Sequence, residues 1–309
     1  MGQPFSFKAL GIQPDAQKGG GAMTRSKATA IGFAAVLLWS LLALFTVGSA
    51  PVPPLQLNAM CFAIATLIGF VWVARSGRMA DLRKVSWRVY VFGTAGLFGY
   101  HLLYFTALRL APPAEAGLIA YLWPLLIVLF SGLLPGEQLR PGHLIGALAA
   151  FAGAALIIAR GGASFEASAL PGYGAAALCA LTWSSYSVLS RRLGDVPTNS
   201  VAVFCAGTAL LSLIAHLAFE TTVWPADALG WASVAALGLG PVGLAFYVWD
   251  IGVKRGDIQL LGVASYAAPL LSTLVLILAG VAAPSAILLI AAVLIAGGAL
   301  LAARAGGTK

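Results

Sequence analysis

Charged side chains are scarce in this sequence. Asp, Glu, Lys and Arg together make up 9% of the 309 residues, whereas hydrophobic residues make up 60% and the mean hydropathy is +0.94. Soluble globular proteins carry about 25% charged residues, so water could not solvate the surface of such a chain. The composition excludes a soluble domain and indicates an integral membrane protein.

The groups that carry most enzyme chemistry are also lacking. The three cysteines lie in apolar runs without close spacing, which fits buried hydrophobes rather than disulfides or metal ligands. Acidic residues occur only in loops or at the ends of apolar runs, and no HExxH, GxSxG or Walker sequence occurs. We therefore expect no enzyme, no cofactor and no metal site.

Ten apolar segments follow Lys27, each about 20 residues long, a length that suits membrane helices rather than barrel strands. The predicted spans 1 to 10 are 28–48, 55–74, 87–108, 114–134, 141–160, 171–190, 199–219, 228–249, 257–280 and 284–303. The predicted fold is an all-α polytopic membrane protein with ten transmembrane helices. Residues 1–26 are interpreted as a disordered leader or a cloning remnant, with Met23 as a candidate natural start.

The distribution of basic residues predicts the orientation. With the N-terminus inside, 16 of the 18 Lys and Arg residues fall on the inner side. Cytoplasmic loops of membrane proteins collect Lys and Arg, so both termini are predicted to be cytoplasmic. The net charge of +8 has the same origin, because no basic domain that could bind nucleic acid stands outside the spans.

The sequence contains an internal repeat. Leu37-Leu-Trp-Ser40 recurs as Leu181-Thr-Trp-Ser184, 144 residues later, and two further motifs repeat with nearly the same offset. The predicted halves are 27–162 and 171–307, with five spans each. Because five is odd, the second half must enter the membrane inverted relative to the first. Inverted repeats around a central cavity are typical of secondary transporters, whose site lies at the midplane.

Each half carries a proline inside an apolar segment, Pro124 in Tyr121-Leu-Trp-Pro124 and Pro269 in Tyr266-Ala-Ala-Pro269. Proline removes a backbone donor and clashes with the carbonyl group four residues earlier. A membrane helix tolerates such a break only where protein or water satisfies the freed group. Pro124 and Pro269 are therefore predicted to break the helices of spans 4 and 9 and to serve in gating.

Aromatic side chains with polar tips lie near the middle of several spans and are predicted to line the cavity, because their tips would otherwise need partners in hydrocarbon. These predicted substrate-binding residues are Trp39, Tyr100, Tyr104, Tyr121, Trp123, Trp183 and Tyr266. The tryptophans near span ends fit interfacial anchors instead; they are Trp72, Trp87, Trp224 and Trp231. Tyr247 and Trp249, at the end of span 8, fit either role.

His101 lies beside Tyr100 in span 3 and has two interpretations. An ionisable group within a span can carry protons near neutral pH, and a neutral histidine can equally fix a neighbouring tyrosine by hydrogen bonding.

No Asp or Glu lies deep in a span, so the predicted cavity has no carboxylate for a multiply charged cation. A cavity of aromatic rings would instead suit a flat ligand with an ammonium group, held by stacking and cation–π contacts.

The layout also resembles a known family. The ten spans in two halves, together with Pro124-Leu-Leu and Leu133-Leu-Pro-Gly-Glu137-Gln-Leu139, resemble the drug/metabolite transporter superfamily with its duplicated EamA-type domain. The second half lacks the Gly-Glu pair. Tyr121-Leu-Trp-Pro124 is similar to the bacterial aromatic amino acid exporters of that superfamily.

This resemblance implies a carrier of the bacterial inner membrane that exports aromatic, and other bulky neutral, amino acids by alternating access. It maps the pocket of that family onto Trp39, Tyr100, Tyr104, Tyr121, Trp123 and Trp183. His101, adjacent to Tyr100, joins them as the eighth predicted substrate-binding residue. Glu137 is interpreted as a structural residue of the turn between spans 4 and 5. The expected partners are the substrate and the bilayer, with one chain as the transport unit.

Two alternative functions stand beside amino acid export. One is an efflux carrier for planar organic cations or drugs, and the other is a membrane scaffold or sensor.

Overall fold

The computed structural model describes residues 23–159 and 162–306, and all regular secondary structure within these ranges is helical. The predicted all-α class is therefore confirmed. The predicted leader lies largely outside the described residues, although Arg25 and Ser26 already belong to the first helix.

Ten long helical segments cross the bundle within the described ranges, close to the predicted positions. Spans 1 to 10 run over Arg25–Gly48, Pro54–Arg75, Trp87–Leu110, Pro113–Ser131, Pro141–Ile158, Leu170–Arg192, Thr198–Phe219, Ala228–Arg255, Ile258–Leu278 and Ile287–Gly306. Nine of these described segments, all except span 6, are long and apolar enough to cross a membrane by length and composition. A short helix, Met79–Lys84, joins spans 2 and 3.

Span 6 is long but has a polar run at its centre, residues 182–187. Trp183, Ser184, Tyr186 and Ser187 of that run are all buried. The span packs against spans 3, 4 and 8. Because protein surrounds this side of the helix, it does not need the apolar surface that lipid demands.

Four spans depart from a regular α-helix. Span 4 consists of Pro113–Ala120 and Trp123–Ser131, and span 9 consists of Ile258–Ala264 and Ala267–Leu278, so both interruptions come just before the prolines. Span 1 is interrupted between Arg25–Trp39 and Leu42–Gly48. Span 8 contains a π-helical turn, Gly240–Leu244.

The interruptions of spans 1 and 8 were not predicted, and each has a local cause. In span 1 the hydroxyl of Ser40 donates to the carbonyl of Leu37 at 2.6 Å, which competes with the helical backbone bonds. In span 8 the π-turn holds Pro241, which cannot donate a backbone hydrogen bond.

The packing of the spans is the same for both halves. Span 5 packs against span 10, span 2 against span 7 and span 4 against span 9, while span 3 packs against span 6 and span 1 against span 8. Each span of the first half has its equivalent five spans later. Replacing every span by its equivalent gives the same five pairs. The ten helices therefore form a bundle with an approximate two-fold relation between the halves.

Spans 5 and 10 approach most closely at two glycines. A Cβ atom added at Gly146 would overlap the carbonyl oxygen of Gly298, and one added at Gly298 would overlap the carbonyl oxygen of Gly146. Small residues allow such backbone contact between membrane helices.

Gly298→Leu should therefore separate spans 5 and 10, because overpacking a close contact costs roughly 1–3 kcal/mol of stability. We expect a lower unfolding temperature of the detergent-solubilised protein, measured by thermal denaturation followed by size exclusion. Gly297→Leu is the matched control, since Gly297 is exposed and an added Cβ there meets nothing within 4 Å. Equal destabilisation by both changes would contradict the assignment of this contact.

Candidate functional site

Four tryptophans from four different spans meet in the middle of the bundle. The ring of Trp39 lies 6.1 Å from Trp123, 6.0 Å from Trp183 and 5.1 Å from Trp249, measured between centroids. Trp123 lies 6.3 Å from Trp183 and 5.9 Å from Trp249. Most of these pairs are edge-to-face or tilted, the arrangements that aromatic rings prefer. We call these four residues the tryptophan cluster.

Span 3 adds three rings to one side of the tryptophan cluster. Tyr100 lies 5.2 Å from Trp183 and stacks on Tyr104 at 6.2 Å, with an angle of 6° between the two planes. His101 lies 5.1 Å from Tyr100. The one-turn spacing of Tyr100 and Tyr104 brings both to the same face of the helix, as predicted from the sequence.

The proton of His101 is fixed by a backbone carbonyl. Its Nδ1 lies 2.7 Å from the carbonyl oxygen of Leu97, and a carbonyl can only accept a hydrogen bond, so Nδ1 carries a proton. The imidazole ring also packs edge-on against Phe62 at 5.1 Å and lies 6.0 Å from Phe246. The contacts around His101 are thus mainly aromatic.

The predicted residues of span 4 also reach this region. The ring of Tyr121 lies 6.5 Å from that of Trp123, on the two sides of the interruption in the helix. Seven of the eight predicted substrate-binding residues therefore join one continuous group of rings. We call this group, with the tryptophan cluster, the aromatic site.

Tyr266 is the exception. Its side chain is fully buried, its ring packs against Phe151 at 5.8 Å, and its hydroxyl oxygen accepts the backbone N–H of Leu125 at 3.1 Å. Leu125 is the third residue of the helix Trp123–Ser131, where the N–H has no partner within the helix. In this conformation Tyr266 completes the hydrogen bonding of the broken span 4.

Several aromatic residues of the site were missed or left open by the sequence reasoning, among them Tyr186, which stacks on Trp183 at 5.3 Å. Trp249 belongs to the tryptophan cluster, Phe246 lies 5.7 Å from Trp183, and Phe62 stacks on Phe246 at 5.4 Å. Phenylalanine has no polar tip and so gave no signal of a cavity. The spacing of three between Phe246 and Trp249, which brings both to one face of span 8, could have indicated them.

The aromatic site is more accessible on one side. Trp123, Trp183 and Trp249 are 5%, 2% and 1% exposed, whereas Trp39, Tyr100, His101, Tyr104 and Tyr121 remain partly exposed. Along spans 3 and 4, Tyr104 and Tyr121 lie nearer than Tyr100 and Trp123 to the end of the bundle that holds Leu110 and Pro113. We call this the open end.

The packing of the broken spans 4 and 9 also differs between the open end and the opposite end of the bundle. At the opposite end, the first helix of span 9, Ile258–Ala264, packs against the second helix of span 4, Trp123–Ser131. At the open end the equivalent helices, Pro113–Ala120 and Ala267–Leu278, are both fully described and make no comparable contact. The two broken spans are therefore closed together on one side of the aromatic site and separated on the other.

Charged side chains from both halves seal the closed end. Arg25 lies 3.2 Å from Glu137 and 3.2 Å from Asp257, and Arg191 forms an ion pair with Glu137. Arg191 also donates to the carbonyl oxygens of Val253 and Gly256 at 2.8 and 2.9 Å. The side chain of Glu137 is only 6% exposed, so these pairs are screened less by water than ordinary surface pairs. The interpretation of Glu137 as a structural residue agrees with these contacts.

The described residues offer no alternative chemistry near the aromatic site. Within residues 23–159 and 162–306 there is no group of three or more His, Cys, Asp or Glu side chains that could hold a metal ion. The acid nearest in sequence, Asp250, is 2% exposed and already paired with Lys254 at 2.9 Å and Thr198 at 2.7 Å. The site is thus built from rings, hydroxyl groups and one imidazole.

Comparison with known proteins gives the family of the chain. The EamA-like transporter family matches residues 26–159 and again residues 170–304. The aromatic amino acid exporter YddG of Ancylobacter novellus is 57% identical over 283 residues, covering 91% of this chain and 98% of its own length. The exporter of the same name from Salmonella typhimurium is 27% identical over 267 residues, covering 81% and 88% of the two chains.

A solved crystal structure has the same fold. It superposes with a TM-score of 0.88 at 55% sequence identity and covers 93% of this chain and 100% of its own. The relatives are transporters, which confirms the expectation of a carrier rather than an enzyme. This chain is a multi-pass membrane protein that belongs to the EamA-like transporter family of the drug/metabolite transporter superfamily.

Proposed function

We propose that this protein exports aromatic amino acids from the cytoplasm by alternating access. The observation that carries the proposal is the aromatic site itself, a group of rings from spans 1, 3, 4, 6 and 8 that is closed at one end and accessible from the other. The names of relatives that align over most of the chain, aromatic amino acid exporters, support the choice of substrate.

The chemistry of the rings favours an aromatic zwitterion. The flat side chain of phenylalanine, tyrosine or tryptophan can stack among the indole rings, while its ammonium group can lie on a ring face for roughly 0.5–2 kcal/mol. Arg88 lies over the ring of Trp87 at 5.9 Å, far from the site. No described Lys or Arg is found over a ring of the aromatic site, so these ring faces can receive the ammonium group of a substrate.

The proposed roles follow this chemistry. Trp39, Tyr100, Tyr104, Tyr121, Trp123 and Trp183 contact the substrate, and we add Trp249 to them. His101 and the tyrosine hydroxyl groups bind its polar end. Pro124 and Pro269 provide the hinges, since the helices of spans 4 and 9 are interrupted just before them. Other bulky neutral amino acids fit the same contacts.

The proposed setting is the bacterial inner membrane, with both termini in the cytoplasm. The closed end, with Arg25, Glu137 and Arg191, is then the cytoplasmic end, and the positive-inside rule supports this orientation. The two halves, 27–162 and 171–307, act as inverted five-helix units, and one chain is the transport unit. No nucleic acid takes part.

The first test is efflux of labelled phenylalanine from proteoliposomes that contain the purified protein. We expect phenylalanine to leave faster than from protein-free liposomes, and a planar organic cation not to do so. Export of the cation without phenylalanine would contradict the proposal. Repeating the measurement with an imposed pH gradient tests His101, because flux that follows the gradient requires a titrating group in the path.

Removing one ring of the aromatic site should slow transport without preventing assembly. We expect Trp123→Ala and Tyr100→Ala each to lower phenylalanine efflux about tenfold, since an aromatic contact contributes roughly 0.5–1.5 kcal/mol beyond its buried area. Trp231→Ala is the control, because Trp231 stacks on Trp224 at 5.9 Å and is half-exposed near the start of span 8. Normal flux in both site variants would overturn the assignment.

The inverted orientation can be tested with equivalent positions. Leu133 and Leu278 are related by the 145-residue offset and are 74% and 87% exposed. In intact cells, a cysteine at Leu278 should react with an impermeant maleimide, whereas one at Leu133 should react only after the membrane is opened. Labelling of both positions from the same side would disprove the inversion.

A further inference from the structure

The two tyrosines that precede the broken helices are equivalent in sequence but not in environment. The hydroxyl of Tyr266 crosses between the halves and accepts the N–H of Leu125 in span 4. Tyr121 is its equivalent, and Leu270 is the equivalent of Leu125. No hydrogen bond joins Tyr121 to Leu270, both of which the structure describes. The ring of Tyr121 instead lies in the aromatic site, where it is partly exposed.

A pair of equivalent glycines has the same asymmetry. A Cβ atom added at Gly262 would come within 3.1 Å of the carbonyl oxygen of Pro124 and 3.0 Å of the side chain of Val128, so spans 9 and 4 touch closely there. A Cβ atom added at Gly117 would meet only Ile158, at 3.3 Å. The contact of Gly262 belongs to the closed end, and Gly117 is its counterpart toward the open end.

The tyrosine pair and the glycine pair both distinguish the closed end from the open end. Where the broken spans are closed together, a tyrosine from one half caps the helix of the other, and a glycine allows their backbones to meet. Where the spans are separated, the equivalent tyrosine faces the aromatic site and the equivalent glycine has no partner in the other broken span. The two halves thus hold equivalent residues in two different arrangements.

A carrier built from two equivalent inverted halves can reach its opposite state if the halves exchange these arrangements. We propose that Tyr121 and Tyr266 exchange roles during transport. In the state open to the other side, the hydroxyl of Tyr121 accepts the N–H of Leu270, and Gly117 packs against Pro269. Tyr266 releases Leu125 and turns into the aromatic site, where it contacts the substrate. This inference rests on the alternating access of the proposed function, but not on the identity of the substrate.

The exchange can be measured as distances between spin labels in the substrate-free protein. Leu133 and Arg255 are exposed at the closed end, and the equivalent pair, Leu278 and Leu110, is exposed at the open end. Cysteines at either pair would be labelled in a background where Cys61, Cys179 and Cys205, all buried, are alanine. In the unchanged protein we expect a short distance for the first pair and a long distance for the second.

Removing either hydroxyl should shift the two populations in opposite directions. Tyr266→Phe removes a hydrogen bond of the closed end and so favours the opposite state. That state has a long distance between positions 133 and 255 and a short distance between positions 278 and 110. Its population should rise about fivefold, the effect of one ordinary hydrogen bond. Tyr121→Phe should reduce the same populations, and the double variant should return to the original ratio.

The control is Tyr173→Phe. The hydroxyl of Tyr173 accepts the backbone N–H of Glu166 at 3.2 Å, a bond between span 6 and the connection just before it, so its loss should leave the ratio unchanged. A shift in the same direction for Tyr121→Phe and Tyr266→Phe, or no shift for Tyr266→Phe, would overturn the proposal. Thermal denaturation of each variant identifies any that is misfolded. If Tyr266→Phe is misfolded, Tyr266→Met replaces it with the same expected direction, because it also lacks the hydroxyl and adds no volume at this buried position. Because no substrate is present, a failure of phenylalanine efflux would leave this result intact.

Discussion

The backbone groups of a membrane helix need partners within the protein, because hydrocarbon offers none. The irregular segments of spans 1, 4, 8 and 9 obey this constraint, since a residue at each of them is buried in the bundle: Ser40, Ala120, Pro241 and Ser265. The hydroxyl of Tyr266 is the clearest case, because it supplies a partner to Leu125 that the interrupted helix cannot supply itself. A broken helix in one half is thus completed by a side chain of the other, which couples the two halves at the place where each can bend.

The closed end and the aromatic site depend on each other through spans 4, 6 and 8. Trp123, Trp183 and Trp249 lie on the same helices that carry or precede Glu137, Arg191 and the carbonyl of Val253 at the closed end. A movement of one of these helices therefore displaces both a ring of the aromatic site and a contact of the closed end. Under the proposed function, substrate binding and the opening of the closed end are coupled through these helices.

Much of the fold followed from the sequence because continuous apolar runs and repeated motifs report directly on membrane helices. The positions of the ten spans and seven rings of the aromatic site were predicted in this way. The break in span 1 could not be predicted, since the competing hydrogen bond of Ser40 has no signature that distinguishes it from any serine in a helix. Phe62 and Phe246 gave no signal, because an apolar ring is equally at home against lipid. The asymmetry between Tyr121 and Tyr266 belongs to one conformation, and the Tyr-x-x-Pro spacing that both share does not tell which tyrosine caps the helix of the other half.

The polar centre of span 6 has a consequence for how the protein is made. A segment enters the bilayer from the translocon according to its own hydrophobicity, and residues 182–187 lower that of span 6. Its integration therefore depends on helices that are already present, and spans 3 and 4, which pack against it, are synthesised earlier. The spans that are made first thus supply the surface against which the polar centre of span 6 is buried.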